Sequence, residues 1–256
     1  MAWKIPKTDW SAADGVRDSD FNRIEGNILE LYNAAKVRDA VTVYVSPSGN
    51  DSAGNGTASS PYATISRALR NMPSDLNGNN IIISMASGTY NEEAYIHHFF
   101  NGTITLSFTT ATLSNLTISD AHVILEGSTL TIVSTSTGLL LANRAYLKSN
   151  ARIQINGGAN GVYVDENSQL VTSTAITMYD TSVRAITVKN GSFAYIQIIA
   201  GSGHPNGILV AEGSIMAYDV LNLLVNSGGV ISATETGGRI FTGSQASNTV
   251  ATAEVI

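Results

Sequence analysis

The chain contains no cysteine, which excludes disulfides, thiolate nucleophiles and cysteine-based metal sites together and leaves the redox compartment open. Charge is also scarce. Asp, Glu, Lys and Arg make up 13% of the 256 residues, about half the usual quarter. Beyond residue 40, eight Lys and Arg are scattered among thirteen Asp and Glu. With a net charge of −6 and no basic run, the chain carries no electrostatic footprint for nucleic acid. No apolar stretch approaches the ~20 residues that span a bilayer, so membrane insertion is not expected. The opening Met1-Ala-Trp-Lys-Ile-Pro-Lys-Thr-Asp-Trp10 lacks the apolar centre of a signal peptide. The expectation is synthesis in the cytoplasm without an export signal.

Aromatics are few, at 7%, and their place is taken by Gly, Ser, Thr, Asn and Ala. A 43% hydrophobic content is too high for disorder, and helix formers are too few for a bundle. Small polar residues mixed with β-branched ones suit strands joined by many tight turns. The fold class expected is mainly β.

Three segments follow from the patterning: 1–40, an N-terminal segment with one helix; 41–80, a capping module of strand, loop and helix; and 81–256, a repetitive strand region. In the first, Phe21, Ile24, Ile28, Leu31 and Ala35 recur at 3-4-3-4 spacing, the a/d seam of two heptads, and predict a helix over 18–37. Asp18, Ser19 or Asp20 can cap its start. Two heptads do not hold a coiled coil alone. The seam therefore packs on its own domain or meets another surface, as Trp3 and Trp10 also require. In the second, Val41-Thr-Val-Tyr-Val45 alternates like a strand and runs into the turn-rich loop 46–56. Ser60-Pro61 has the order of a cap followed by a first-turn proline, predicting a helix that Pro73 ends. The loop Gly49-Asn-Asp-Ser-Ala-Gly-Asn-Gly56 is rich in oxygen ligands, but it lacks the acidic spacing of a calcium loop and reads as a turn.

The strongest signal is an internal repeat. Copies begin at Gly138, Gly161, Ala185, Gly207 and Gly229, spaced 23, 24, 22 and 22 residues. Each opens with a small residue, then apolar–variable–apolar, and carries Ala or Ser at its eighth place (Ala145, Ser168, Ser192, Ser214). A period in the low twenties with several short strands per unit means a solenoid. The spaced leucines of a leucine-rich repeat are missing, so the prediction is a right-handed parallel β-helix of about seven coils, roughly 35 Å long at ~4.8 Å per coil. Alternation sends Leu139/Leu141, Val162/Val164, Ile186/Val188 and Ile208/Val210 inward. Leu140, Tyr163, Thr187, Leu209 and Ile231 then form an outward row. Most of these are large and apolar, and a row so aligned is expected to be buried between identical subunits, or else under a loop.

Candidate chemistry is thin. His97, His98, His122 and His204 make no metal pair at ligand spacing, adjacent His97 and His98 are expected on opposite faces of a strand, and no cofactor motif is present. Asp165 and Lys189 share a repeat position and are expected to form a cross-strand pair. No convergent pair of acids of the kind that cleaves sugars is recognisable among Glu92, Glu93, Asp165, Glu166, Asp180, Glu212 and Asp219.

Residues 8–28, above all Asp20-Phe-Asn-Arg-Ile-Glu25, resemble the start of tail and baseplate-associated proteins of phages and phage-like particles of Gram-positive bacteria. Val43-Tyr-Val-Ser-Pro-Ser-Gly-Asn-Asp51 through Tyr62-Ala-Thr-Ile-Ser-Arg-Ala-Leu69 is similar to the opening of the pectate-lyase-like β-helices found in tailspikes and tail fibres. The resemblance implies a virion protein of the tail: a homotrimer attached to tail or baseplate proteins through Trp3, Trp10, Phe21, Asn22, Arg23, Ile24, Ile28 and Leu31. Its rod would meet a host cell-surface glycan or wall polymer. A polysaccharide lyase or hydrolase on the same scaffold is the alternative, because fold does not fix function.

Overall fold

In the computed structural model, which describes residues 15, 17–34, 41–70, 72–225, 232–234, 237–242 and 254–255, the repeat winds into a parallel β-solenoid of about seven turns. Two hydrogen-bonded sheets wrap three faces. Face A runs through Asn80–Met85, residues 103–108 and 122–125, Tyr146–Ser149, residues 169–172, 193–196 and 215–218, and Arg239–Thr242. Face B follows each of these around a bend, as at Gln169–Tyr179, whose first part pairs with Tyr146–Ser149 and whose last part pairs with Arg152–Gly157. Face C is the eight-stranded sheet that starts at Glu93–His97 and passes through Asn160–Val164 and Arg184–Val188.

Inward side chains stack on their equivalents one coil away. On face C, Leu116, Leu139, Val162, Ile186 and Ile208 form one row, and Ile118, Leu141, Val164, Val188 and Val210 a second. All ten are 0% exposed, so every inward pair expected from the repeat lies inside. Burying each such side chain contributes about 1.5–3 kcal/mol, and coil-to-coil backbone hydrogen bonds satisfy the strands that carry them.

The apex between faces C and A explains the small residue at the eighth place. The chain turns there through pairs of left-handed residues, such as Asn143 (φ 52°) and Arg144 (φ 62°), or Glu212 (φ 53°) and Gly213 (φ 74°). The residue after each pair is buried, and its N–H points along the solenoid axis. The Ser168 hydroxyl accepts the Ala145 N–H (3.1 Å), that of Ser192 the Ser168 N–H (3.1 Å), and that of Ser214 the Ser192 N–H (3.0 Å). A dry corner with a row of amide donors requires acceptors, and a hydroxyl one coil on supplies each.

The chain leading into the solenoid departs from expectation in detail. Val41–Val45 pairs in parallel with Asn80–Met85 and so adds the first layer of face A. The helix that follows begins at Ile65 rather than after Pro61 and is α2, Ile65–Arg70. The Tyr62 N–H donates to Tyr44 O (3.0 Å) and the Ser46 N–H to Tyr62 O (2.9 Å), which holds residues 61–63 extended. Thr64 then caps the helix, its hydroxyl accepting the Arg67 N–H at 3.0 Å. Ile65, Ala68 and Leu69 are buried against the first coil. The Asp51 carboxylate accepts from the Ala63 and Thr64 N–H groups (2.7 and 3.1 Å) and the Thr64 hydroxyl (2.7 Å), so the acid of the oxygen-rich loop ties the chain together.

At the N-terminal side, α1 spans Asp18–Ala34, and residues 35–37 of the expected helix lie outside the described residues. Asp20 acts from inside the first turn: its carboxylate accepts the Arg17 N–H (3.1 Å) and lies 3.5 Å from Arg23. That is the reciprocal half of a capping box. Near the C-terminus, the residue opposite Leu209 on the next coil is Ala233. The coil is two residues longer than the repeat spacing implied, so Ile231 is not the residue in register, and it lies outside the described residues.

Candidate functional site

The residues expected to attach the chain divide cleanly. Trp3 and Trp10 lie outside the described residues. On α1 the apolar seam is uncovered: Phe21, Ile24, Ile28 and Leu31 are 48–60% exposed, as is the neighbouring Leu29. Asn22 is exposed and Arg23 half-buried.

The outward row of face C is longer and drier than its sequence suggested. In register it reads Tyr95, Thr117, Leu140, Tyr163, Thr187, Leu209 and Ala233. Leu140, Tyr163 and Leu209 are half-buried, and Thr187 is only 4% exposed. Neighbours one coil away shield one another, and the Lys189 ammonium sits 5.4 Å from the centre of the Tyr163 ring. The expected Asp165–Lys189 pair does not form. The Asp165 carboxylate instead accepts from Asn190 Nδ2 (2.6 Å) and the Glu166 N–H (2.9 Å). Lys189 is held above its ordinary range, first by the Tyr163 hydroxyl and then by the Asp165 and Glu212 charges, against a lowering by partial burial.

Glu92 and Asp219 are engaged in structural bonds. Glu92 accepts from the Ile65 and Ser66 N–H groups and the Ser66 hydroxyl (2.6, 3.1 and 2.9 Å), placing a negative charge on the first turn of α2. Asp219 accepts from the Tyr195 hydroxyl at 2.7 Å. Among the described residues no three His, Asp or Glu side chains converge as metal ligands, and no helix is long and apolar enough to cross a membrane.

His204 is wholly buried. Its Nδ1 meets the Thr181 hydroxyl (2.8 Å) and its Nε2 the Met178 carbonyl (3.1 Å). Neutral imidazole fits this arrangement, with Nε2 donating and Nδ1 accepting. Burial lowers its pKa, opposed by the Met178 bond and Asp180. It is a core residue.

A groove that no sequence motif announced lies where α2 meets the first strand of face C. Glu93–His97 alternates, with Ala94 and Ile96 inward at 0% exposure and Tyr95 and His97 outward. The outward rings stack, 4.3 Å between centres and 19° between planes. The chain then turns at His98 (φ 58°), which brings the His98 ring edge-on to His97 at 4.9 Å. The two histidines therefore touch, contrary to the opposite-face expectation, because the strand ends between them. Ser66, Leu69, Arg70, Met72, Ser74 and Phe99 line, together with the rings, a space of about 450 Å³. Glu92, one residue before the strand, grips the first turn of α2 and so joins the two walls. The groove was hidden in the sequence because the early coils are irregular, with residues 122–125 of face A starting only 19 residues after residues 103–108. The one available signal was Tyr95-Ile-His97, two rings at strand spacing flanked by inward apolar residues.

A second hollow of about 400 Å³ shares His98 and continues along the C–A apex past Asp120, Asn143, Arg144 and Glu166. Asp120 lies 3.4 Å from His98 and 3.6 Å from Arg144, exposed pairs that contribute under about 1 kcal/mol each. No family model matches the chain, and no curated protein or solved structure is significantly similar to it.

Proposed function

We propose that the chain is a structural and adhesive fibre protein of a phage tail or phage-derived particle, anchored by its N-terminal segment and presenting the solenoid to the host surface. The observation that carries this reading is the uncovered seam of α1 with its neighbour Leu29, five large apolar residues on a 17-residue helix. Such a face in water calls for a protein partner, and the resemblance of residues 8–28 to tail-attachment segments supplies its class. A stack of coils closed on its own core suits a stiff spacer, and a homotrimer about the rod axis suits a fibre. The receptor is a cell-surface glycan or wall polymer.

The test keeps the full chain. Ile24→Asp and Ile28→Asp together place charges on the exposed seam without touching the solenoid. The variant is expected to melt with the wild type and to be missing from assembled particles. Equal incorporation would exclude anchoring through α1. The alternative, a polysaccharide lyase or hydrolase, predicts new reducing ends or unsaturated sugars when the protein is incubated with host wall polysaccharide. The engagement of Asp51, Glu92, Asp165 and Asp219 in structural bonds supports the adhesive reading over that one.

A further inference from the structure

We infer that the groove between α2 and the Tyr95–His97 pair is a saccharide-binding site, and that the hollow beyond His98 extends it into a track for a chain of several sugars. This rests on the adhesive reading above and locates its receptor contact on the first coils.

Three observations converge. The stacked rings of Tyr95 and His97 stand outward on a strand whose alternate residues are locked in the core, so their orientation is built in. Tyr95 is 48% exposed, and its electron-rich face suits the positively polarised C–H groups on the apolar side of a sugar ring. The same groove is lined by Ser74 and Arg70, and by Ser66, whose hydroxyl donates to Glu92 and keeps its oxygen as an acceptor. Arg70 is exposed and forms no ion pair among the described residues. Rings and apolar side chains lining one space of about 450 Å³ together with a few hydrogen-bonding groups match the usual build of a small-molecule site.

The third observation gives the ligand its length. The next hollow opens across His98 and offers a carboxylate from Asp120 on one coil and amide and guanidinium groups from Asn143 and Arg144 on the next. Rows of polar groups one coil apart suit a chain bearing hydroxyls along its length. A peptide would instead seek an unpaired strand edge; Glu93–His97, the end strand of its sheet, has one, but the strands beside the hollow beyond His98, Asn115–Ser119 and Thr137–Ala142, are paired on both sides.

The experiment measures binding of the full-length protein to an array of defined tri- and tetrasaccharides, and to oligosaccharides released from Gram-positive walls by muramidase. Retention of the protein on intact walls is measured in parallel. Tyr95→Ala and His97→Ala are expected to weaken saccharide binding at least tenfold with unchanged melting temperatures, both side chains being outside the core. Asp120→Asn is expected to weaken binding of chains of three or more sugars and to leave shorter fragments unaffected. Retention on walls with unchanged saccharide affinity in both ring variants overturns the groove and leaves the adhesive reading standing. Retention without binding to any saccharide overturns the ligand class and points to a wall protein. Neither retention nor saccharide binding overturns the groove together with the receptor half of the proposed function.

Discussion

At the scale of single residues, the solenoid relies on buried polar atoms that each have one specific partner. His204 is the clearest case. Burial depresses its folded pKa below the usual ~6.5, so as pH falls the unfolded chain takes up the proton first. The neutral ring's contribution is therefore complete above pH ~6.5 and declines below it, by at most about 1.4 kcal/mol per pH unit. Urea midpoints measured from pH 7 to pH 5 should fall for the wild type and fall less for His204→Gln, whose amide retains a donor for the Met178 carbonyl. Parallel curves would exclude His204 as the titrating group. The serine row makes a second, pH-independent prediction. Ser192→Ala removes the hydroxyl that accepts the Ser168 N–H (3.1 Å), leaving a buried donor with only the Asp165 carbonyl at 3.2 Å. A loss of about 1 kcal/mol is expected at pH 7. Val188→Asp, in the 0% exposed inner row, puts an unpaired charge where no water reaches, and several kcal/mol should be lost.

At the scale of elements, α2 is a plug held by side chains from other elements. Its six residues are too few to be helical alone. It persists because Ile65, Ala68 and Leu69 are buried and because Asp51 and Glu92 satisfy the amides around its start. Glu92→Ala removes three hydrogen bonds to a carboxylate and should cost about 2–3 kcal/mol, or roughly 4–12 °C in Tm for a chain of this size. Hydrogen exchange would localise the effect, with protection lost at residues 65–70 and retained on face C beyond the second coil. Uniform loss along the solenoid would mean that α2 nucleates the whole stack. Elements also carry close approaches that only glycine permits. At Gly201 (φ 146°) a Cβ would collide with the Met178 carbonyl on the preceding coil, so Gly201→Ala should disrupt the pairing of residues 175–179 with 198–202.

At the scale of the whole molecule, the open question is assembly. Shielding along the face C row reduces what a second subunit can bury there. Leu140, Tyr163 and Leu209 are already half-covered and would add about 3 kcal/mol per subunit, before association entropy. The exposed apolar side chains of α1 therefore carry more of any trimer's stability than the rod does. Light scattering at micromolar concentration is expected to give about three times the 26.9 kDa chain mass. The Ile24→Asp, Ile28→Asp variant should shift the mass toward that of one chain more strongly than serine at positions 140, 163 and 209. A wild-type mass near 26.9 kDa would remove the trimer altogether.

The repeat made the architecture legible without coordinates. A period of 22–24 with alternating apolar residues admits one economical solution, because each coil's hydrogen bonds and apolar rows are completed only by the next coil. For the same reason the inward pairs from Leu139 to Val210 could be assigned from alternation alone. Four matters depended on the tertiary structure. The eighth-place serines are visible as a pattern, but their acceptor role exists only once 22–24 residues of chain return them to a distance of about one strand spacing. The shielding of Thr187 depends on the sizes of neighbours one coil above and below, and the register at Ala233 on a coil length that the opening Gly229 misreported. The groove at Tyr95 and His97 belongs to no periodic pattern, because its walls come from a strand and a helix some 25 residues apart in sequence. Local periodicity dictates which residues face inward, whereas a surface site is made by the meeting of elements, and that is decided by packing.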